Sequence, residues 1–178
     1  MNKLLYCVVA FLLLSNTSWA GEPTKLVPLR FLLGEWQSVG NRRPEEGTGS
    51  TKFVRGLQDR VIFRNNYAEY PGNMSQSTYR HDDLMIIYVE ADSLVKADYF
   101  DSEGHVIRYV VNTSADGEVI FLSEFYPTTS RFRLAYKLTP DRILHGKFDV
   151  APPGKPEEFS PYLDWTSRKI ILNDRNAR

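Results

Sequence analysis

Hydrophobic and polar residues alternate along this chain with a period of two, and no stretch of three turns or more carries an apolar face at helical spacing. In Arg131–Leu138, Phe132, Leu134, Tyr136 and Leu138 fall on one side, while Arg131, Arg133 and Lys137 fall on the other. Leu144, Gly146, Phe148 and Val150 oppose His145, Lys147 and Asp149 in the same way. Farther upstream, Val61, Phe63 and Tyr67 form an apolar row against Arg64 and Asn66. Each segment reads as a strand with one face on a core and one on water. The turns between them have their own chemistry. Asp101-Ser102-Glu103-Gly104 and Ala115-Asp116-Gly117 each supply a glycine where a hairpin needs positive φ. Thr139-Pro140-Asp141 and Pro127–Ser130 make two further reversals. Sequential hairpins at near-regular spacing predict an all-β fold, an antiparallel up-and-down β-barrel of about 8–10 strands.

The series opens on Phe31-Leu32-Leu33-Gly34-Glu35-Trp36, where an indole can plug the bottom of a barrel and a glycine lets the backbone bend beneath it. Before it, residues 1–20 read as a signal peptide. Met1-Asn2-Lys3 is a short positive head, Leu4–Leu14 an apolar run, and Ser18-Trp19-Ala20 a small-residue cleavage site. The run falls short of the roughly 20 residues a membrane span needs. The division that follows is 21–30 as an N-terminal extension, 31–172 as the barrel and 173–178 as a disordered tail. The expected location is exported, periplasmic or extracellular, with no membrane span after cleavage.

Composition removes several classes of chemistry. The one cysteine, Cys7, lies in the leader, so neither disulfides nor thiol chemistry are expected of the mature chain. With 22 basic and 22 acidic residues there is no field of one sign to steer nucleic acid or an anionic membrane. The nucleophile elbow, the phosphate-binding glycine loop and the zinc-protease helix are missing from the sequence. Asp82-Asp83 and Glu157-Glu158 are neighbours that diverge on a strand, so neither makes an acid–base pair. Two segments interrupt the alternation: a polar loop, Asn41–Ser50, and a stiff connection, Ala151-Pro152-Pro153-Gly154-Lys155-Pro156.

Three histidines follow the leader. His145 alternates with Ile143 and Lys147 opposite the apolar face, which makes it a surface residue. His81 lies in Tyr79-Arg80-His81-Asp82-Asp83, and adjacent residues on an extended chain point to opposite faces. His81 and Asp82 therefore do not converge, the segment reads as a solvated loop, and no metal site is expected. His105 starts a strand that carries Ile107, Tyr109 and Val111. Near Tyr99 and Asp101 it could bond a ligand, act as acid or base near neutral pH, or simply complete its hairpin with Asp101. Ten tyrosines, ten phenylalanines and three tryptophans exceed what a barrel floor needs. Packed solidly they fill a core; with hydroxyls turned inward they line an amphipathic pocket.

Together, Phe31–Trp36, the hairpin Tyr99–Ile107, the strand Arg131–Leu134, the Ala151–Pro156 connection and the closing Trp165-Thr166 resemble an uncharacterised bacterial family of exported lipocalin-like (calycin) proteins. The likeness covers nearly all of the chain after residue 20 and extends, more distantly, to nitrobindin and the fatty-acid-binding proteins. It implies one lipocalin-like barrel with an internal cavity. It also implies a structural floor in which Gly34 and Trp36 are covered by Arg168 of the last strand, a guanidinium stacked on the indole. Nitrobindin-type relatives hold haem through a histidine near the C-terminus. Leu163–Lys169 has none, so no cofactor carries over.

The expected function is binding of a small, largely apolar molecule inside the barrel. Trp36, Phe63, Tyr67, Tyr99, His105, Tyr109, Tyr136 and Trp165 are the candidate wall or floor residues. One alternative is an enzyme acting on a small exported metabolite with His105 as acid or base. Another is a filled barrel that serves as an envelope interaction module through the loop Asn41–Ser50. Catalytic residues and oligomeric state are left open by the sequence.

Overall fold

The computed structural model describes residues 22–39, 47–72, 77–91 and 93–171. The leader, the loop segment 40–46 and the tail lie outside the described residues. Ten antiparallel strands follow in order: β1 (Gly34–Ser38), β2 (Thr48–Gly56), β3 (Val61–Tyr70), β4 (Tyr79–Glu90), β5 (Leu94–Asp101), β6 (Val106–Thr113), β7 (Val119–Ser123), β8 (Arg131–Leu138), β9 (Ile143–Ala151) and β10 (Ser160–Lys169). Each pairs with its sequence neighbour, and β1 pairs with β10 to close the barrel. Closure leaves no free edge, which is how an all-β chain of this size avoids edge-to-edge association.

The register fixes which side chains look inward, because residues directly opposite each other share a face. Arg64 faces Phe53 and Met85, Tyr99 faces Met85 and Ile107, Leu134 faces Phe121 and Phe148, and Trp165 faces Gly146. From these pairs the inner face follows by twos along every strand. β8 and β9 occupy the segments read from the sequence, with Phe132, Leu134, Tyr136 and Leu138 inward beside Leu144, Gly146, Phe148 and Val150.

One end of the barrel is closed by a segment the sequence assigned to an extension. Thr24–Leu32 forms a 3-10 helix. Pro28 clashes with the Thr24 carbonyl in an α-helix and disfavours α geometry at Val27, and the segment takes the 3-10 form. Its three-residue turn stacks Leu26, Leu29 and Leu32 on one side, and all three are buried in the core with Trp36, Ile87, Val95, Val111, Val119 and Leu144. Full burial of each leucine contributes about 1.5–3 kcal/mol. Glu22 ties the helix down, pairing with Arg30 and with Arg55 of β2 at 2.9 Å.

Trp36 ends this plug. Its Nε1 donates to the Leu32 carbonyl at 2.6 Å, and the side chain is 2 % exposed. Gly34 takes φ +116°, which L side chains rarely adopt, and a Cβ there would also push aside the end of the Lys169 side chain. The cation over the indole is Lys169, with Nζ 5.3 Å from the ring centre, and the expected Arg168 is exposed. Strand parity is the reason. Trp165, Ser167 and Lys169 share the inner face of β10, and Arg168, one residue out of step, points to solvent.

Candidate functional site: a half-open cavity with two unlike walls

The barrel is solid at the plugged end and hollow at the other. A cavity of about 1710 Å³ opens between the ends of β3, β5, β7 and β9 and the starts of β4, β6, β8 and β10. Its base is aromatic. Tyr136 packs edge-to-face on Phe53, Phe121 and Trp165 at centroid distances of 5.6, 6.1 and 6.0 Å.

One wall is polar. β3 turns Arg64 and Asn66 inward, and β4 turns His81 and Asp83 inward, because positions i and i+2 share a face. Arg64, 5 % exposed, donates from Nη1 to Asp83 Oδ1 at 2.6 Å. Asn66 Nδ2 donates to the other Asp83 oxygen at 2.8 Å, and the Thr51 hydroxyl donates to Asn66 Oδ1. Burial works against the Arg64 cation, but Asp83 and the tyrosines around it outweigh that penalty and hold its pKa above the ordinary arginine value. Burial pushes the hydroxyls of Tyr99, Tyr109 and Tyr136 up, so all three stay neutral donors. Arg64 Nε and the Tyr136 hydroxyl are buried without a hydrogen-bond partner at the bottom of this wall.

Toward the rim the network continues through His81. Its Nε2 lies 3.2 Å from the Tyr99 hydroxyl and 3.4 Å from Asp83 Oδ2. Its Nδ1 lies 3.0 and 2.9 Å from the two Glu103 oxygens. The β5–β6 turn supplies the rest. Gly104 takes φ +88°, and Asp101 Oδ1 accepts the backbone N–H groups of Glu103 and His105 at 3.1 and 2.8 Å. Asp101 Oδ2 accepts from Tyr99 at 3.3 Å and lies 2.8 Å from His105 Nδ1. Burial alone would raise the Asp101 carboxyl; the bonds from His105 and Glu103 reverse this and hold it below the usual carboxylate range.

The facing wall, from β8 to β10, is apolar: Phe132, Leu134, Phe148, Val150, Leu163 and Trp165. Phe132 and Phe148 stack with centroids 5.7 Å apart. Trp165 lies flat across Gly146, where a Cβ would collide with the indole. Only glycine lets that ring sit against the sheet.

Of the residues singled out from the sequence, Trp36, Tyr99, Tyr109, His105 and Trp165 line the cavity. His105 does so at the mouth, with its side chain 67 % exposed and held to Asp101. Two, Phe63 and Tyr67, leave the inner face, and Tyr136 belongs to the floor rather than a wall. Phe63 lies on the outer face of β3, since Ile62, Arg64 and Asn66 take the inner one. Tyr67 shares the outer face with Asp82 and borders the cavity only at the rim, its ring 4.4 Å from the Arg80 guanidinium. Tyr136 is inward but fully buried beneath the cavity. Sequence reasoning passed over Arg64, Asn66, His81, Asp83 and Glu103. It compared His81 with its neighbour Asp82, which indeed points away to Arg80, whereas the partner on the same face was Asp83 two residues on.

No protein-family model matches the chain, and no curated protein matches it.

Proposed function

We propose that this protein is an exported container for a small amphipathic molecule. The apolar body lies against Phe132, Leu134, Phe148 and Trp165, and the polar end meets the Arg64–Asp83–His81–Tyr99 wall. The observation that carries the reading is the division of one large cavity into an aromatic side and a hydrogen-bonding side. Ligand pockets combine mostly apolar lining with a few convergent polar groups in this way. The reading narrows the expected largely apolar ligand to one with a polar end, because an apolar group set against this wall would leave the buried Arg64 Nε without a partner. The resemblance to lipocalin-like proteins and the leader pattern of residues 1–20 support the cavity-binding and exported parts of the proposal.

The test is a titration with anilinonaphthalene sulfonate, a probe with an aromatic body and a charged end. The expected result is one-to-one binding with enhanced probe emission. Val150→Trp, which fills the mouth, weakens it at least tenfold, and Leu57→Ala on the outer β2–β3 turn leaves it unchanged. A wild-type protein without saturable binding, or equal binding by both variants, overturns the proposal.

A further inference from the structure

The rim carries Asp101, Glu103 and His105, which the amphipathic ligand proposed above does not require, beside His81, the last residue of the polar wall. We propose that His81, Asp101 and Glu103 form a site for a divalent transition-metal cation of the zinc type, with His105 as the fourth donor.

His81, Asp101 and Glu103 each offer a donor atom within 4.8 Å of the others. His105 Nδ1 lies 2.8 Å from Asp101 Oδ2 and 4.0 Å from Glu103 Oε2. His105 stands outside that 4.8 Å set, and a rotation of its exposed ring is needed to bring four donors to the roughly 3.3 Å spacing of a tetrahedral zinc site. Two imidazoles and two carboxylates make a borderline donor set. It suits zinc or cobalt better than calcium, which takes six to eight oxygens.

Charge points the same way. The Asp83 carboxylate is matched by Arg64, but among the described residues Asp101 and Glu103 pair with histidines alone. The Asp101 side chain is 4 % exposed on a half-buried residue, so two carboxylates stand together with no lysine or arginine paired to them among the described residues. Buried charge is otherwise met by a paired cation or a metal.

The surroundings are also arranged as a metal site needs. With Nδ1 of His81 turned to the ion beside Glu103, its Nε2–H has acceptors ready in the Tyr99 hydroxyl at 3.2 Å and Asp83 at 3.4 Å. Such partners fix the ring and raise its basicity. On the other side, the Asp101 Oδ1 bonds to two backbone N–H groups preset the turn that carries Glu103 and His105. The site is thus spread over one strand and one rigid hairpin, and three of its four donors come from within five residues.

The experiment is calorimetric titration of the full, tag-free chain, stripped with a chelator, with zinc chloride. Cobalt chloride serves as a spectroscopic probe. The expected result is one equivalent of zinc bound and the visible absorption of tetrahedral cobalt. His81→Ala and Glu103→Gln each weaken zinc at least tenfold, while His145→Ala, on the outer face of β9, leaves it unchanged. Glu103 lies on the turn, so Glu103→Gln keeps the barrel intact and its result stands even where His81→Ala fails to fold. No binding by the wild type, or undiminished binding by Glu103→Gln, overturns the proposal.

Discussion

The plugged half and the open half of this barrel are built from the same strands, yet their inner faces obey opposite rules. On β4, Met85 and Ile87 are fully buried in the core, while Asp83 and His81, the next inward positions, are charged or titratable and held in polar contacts, Asp83 by Arg64 and Asn66 and His81 by Tyr99 and Glu103. On β3 the change comes between Ile62 and Arg64, and on β5 between Ala97 and Tyr99. Arg64 and Tyr99 flank Met85 in one row, so β4 makes the change one row nearer the mouth than β3 and β5. On these three strands the inward groups below the step stabilise the fold by packing, and those above it are held by hydrogen bonds around a space. Where a strand breaks its own alternation rule within one row of its neighbours, the exception marks a site rather than a fault.

Substitutions in the two halves separate these roles. The largest effect is expected at their boundary. Arg64→Leu leaves Asp83 buried without its cation and costs about 4 kcal/mol. Chemical denaturation reads the loss, and Arg64→Leu with Asp83→Leu recovers most of it, because an apolar pair needs no counter-charge. Leu29→Ala in the plug costs about 3 kcal/mol through the cavity it leaves. It lowers the denaturation midpoint while probe binding by the folded protein stays at the wild-type value. Loss of binding in Leu29→Ala beyond the unfolded fraction would erase the distinction between the halves.

Smaller effects refine the closed end. Lys169→Ala removes the cation above Trp36 and costs about 0.5–1 kcal/mol, whereas Arg168→Ala leaves the melting temperature unchanged. The reverse ranking would restore Arg168 to the floor. The smallest is a surface pair at the same end. Hydrogen bonds from Lys137 and Ser114 hold the Asp116 carboxyl down to about 2, against an ordinary 3.8. A depressed acid stabilises the fold above its unfolded pKa, and that contribution is lost as pH falls from about 4 toward 2. Asp116 is exposed, solvent screens the pair, and Asp116→Asn leaves the acid unfolding curve superimposable on the wild type.

The fold was legible because β8 and β9 are half-buried along their whole length, so their alternation names both faces. β3 was not, since Val61-Ile62-Phe63 is apolar on both faces at the plugged end. Period two then cannot choose a side, and the inward residues beyond it are Arg64 and Asn66. The plug was missed for a related reason. Leu26, Leu29 and Leu32 recur every three residues, a 3-10 spacing too short to register as a helical face. Arg168 was excluded by information already in the sequence, as it cannot share a face with Trp165 three residues earlier on a strand. The polar wall is the least readable part. Arg64, Asp83 and Asp101 become neighbours only through cross-strand register, and no local pattern carries that.

The central claim is that the open half holds an amphipathic molecule. Native mass spectrometry of the protein purified without denaturation from its own cells tests it most directly. The account predicts a second mass above the bare chain by a few hundred daltons, released by organic solvent and absent from Val150→Trp. A single bare mass for both proteins, whatever the purification, would contradict it.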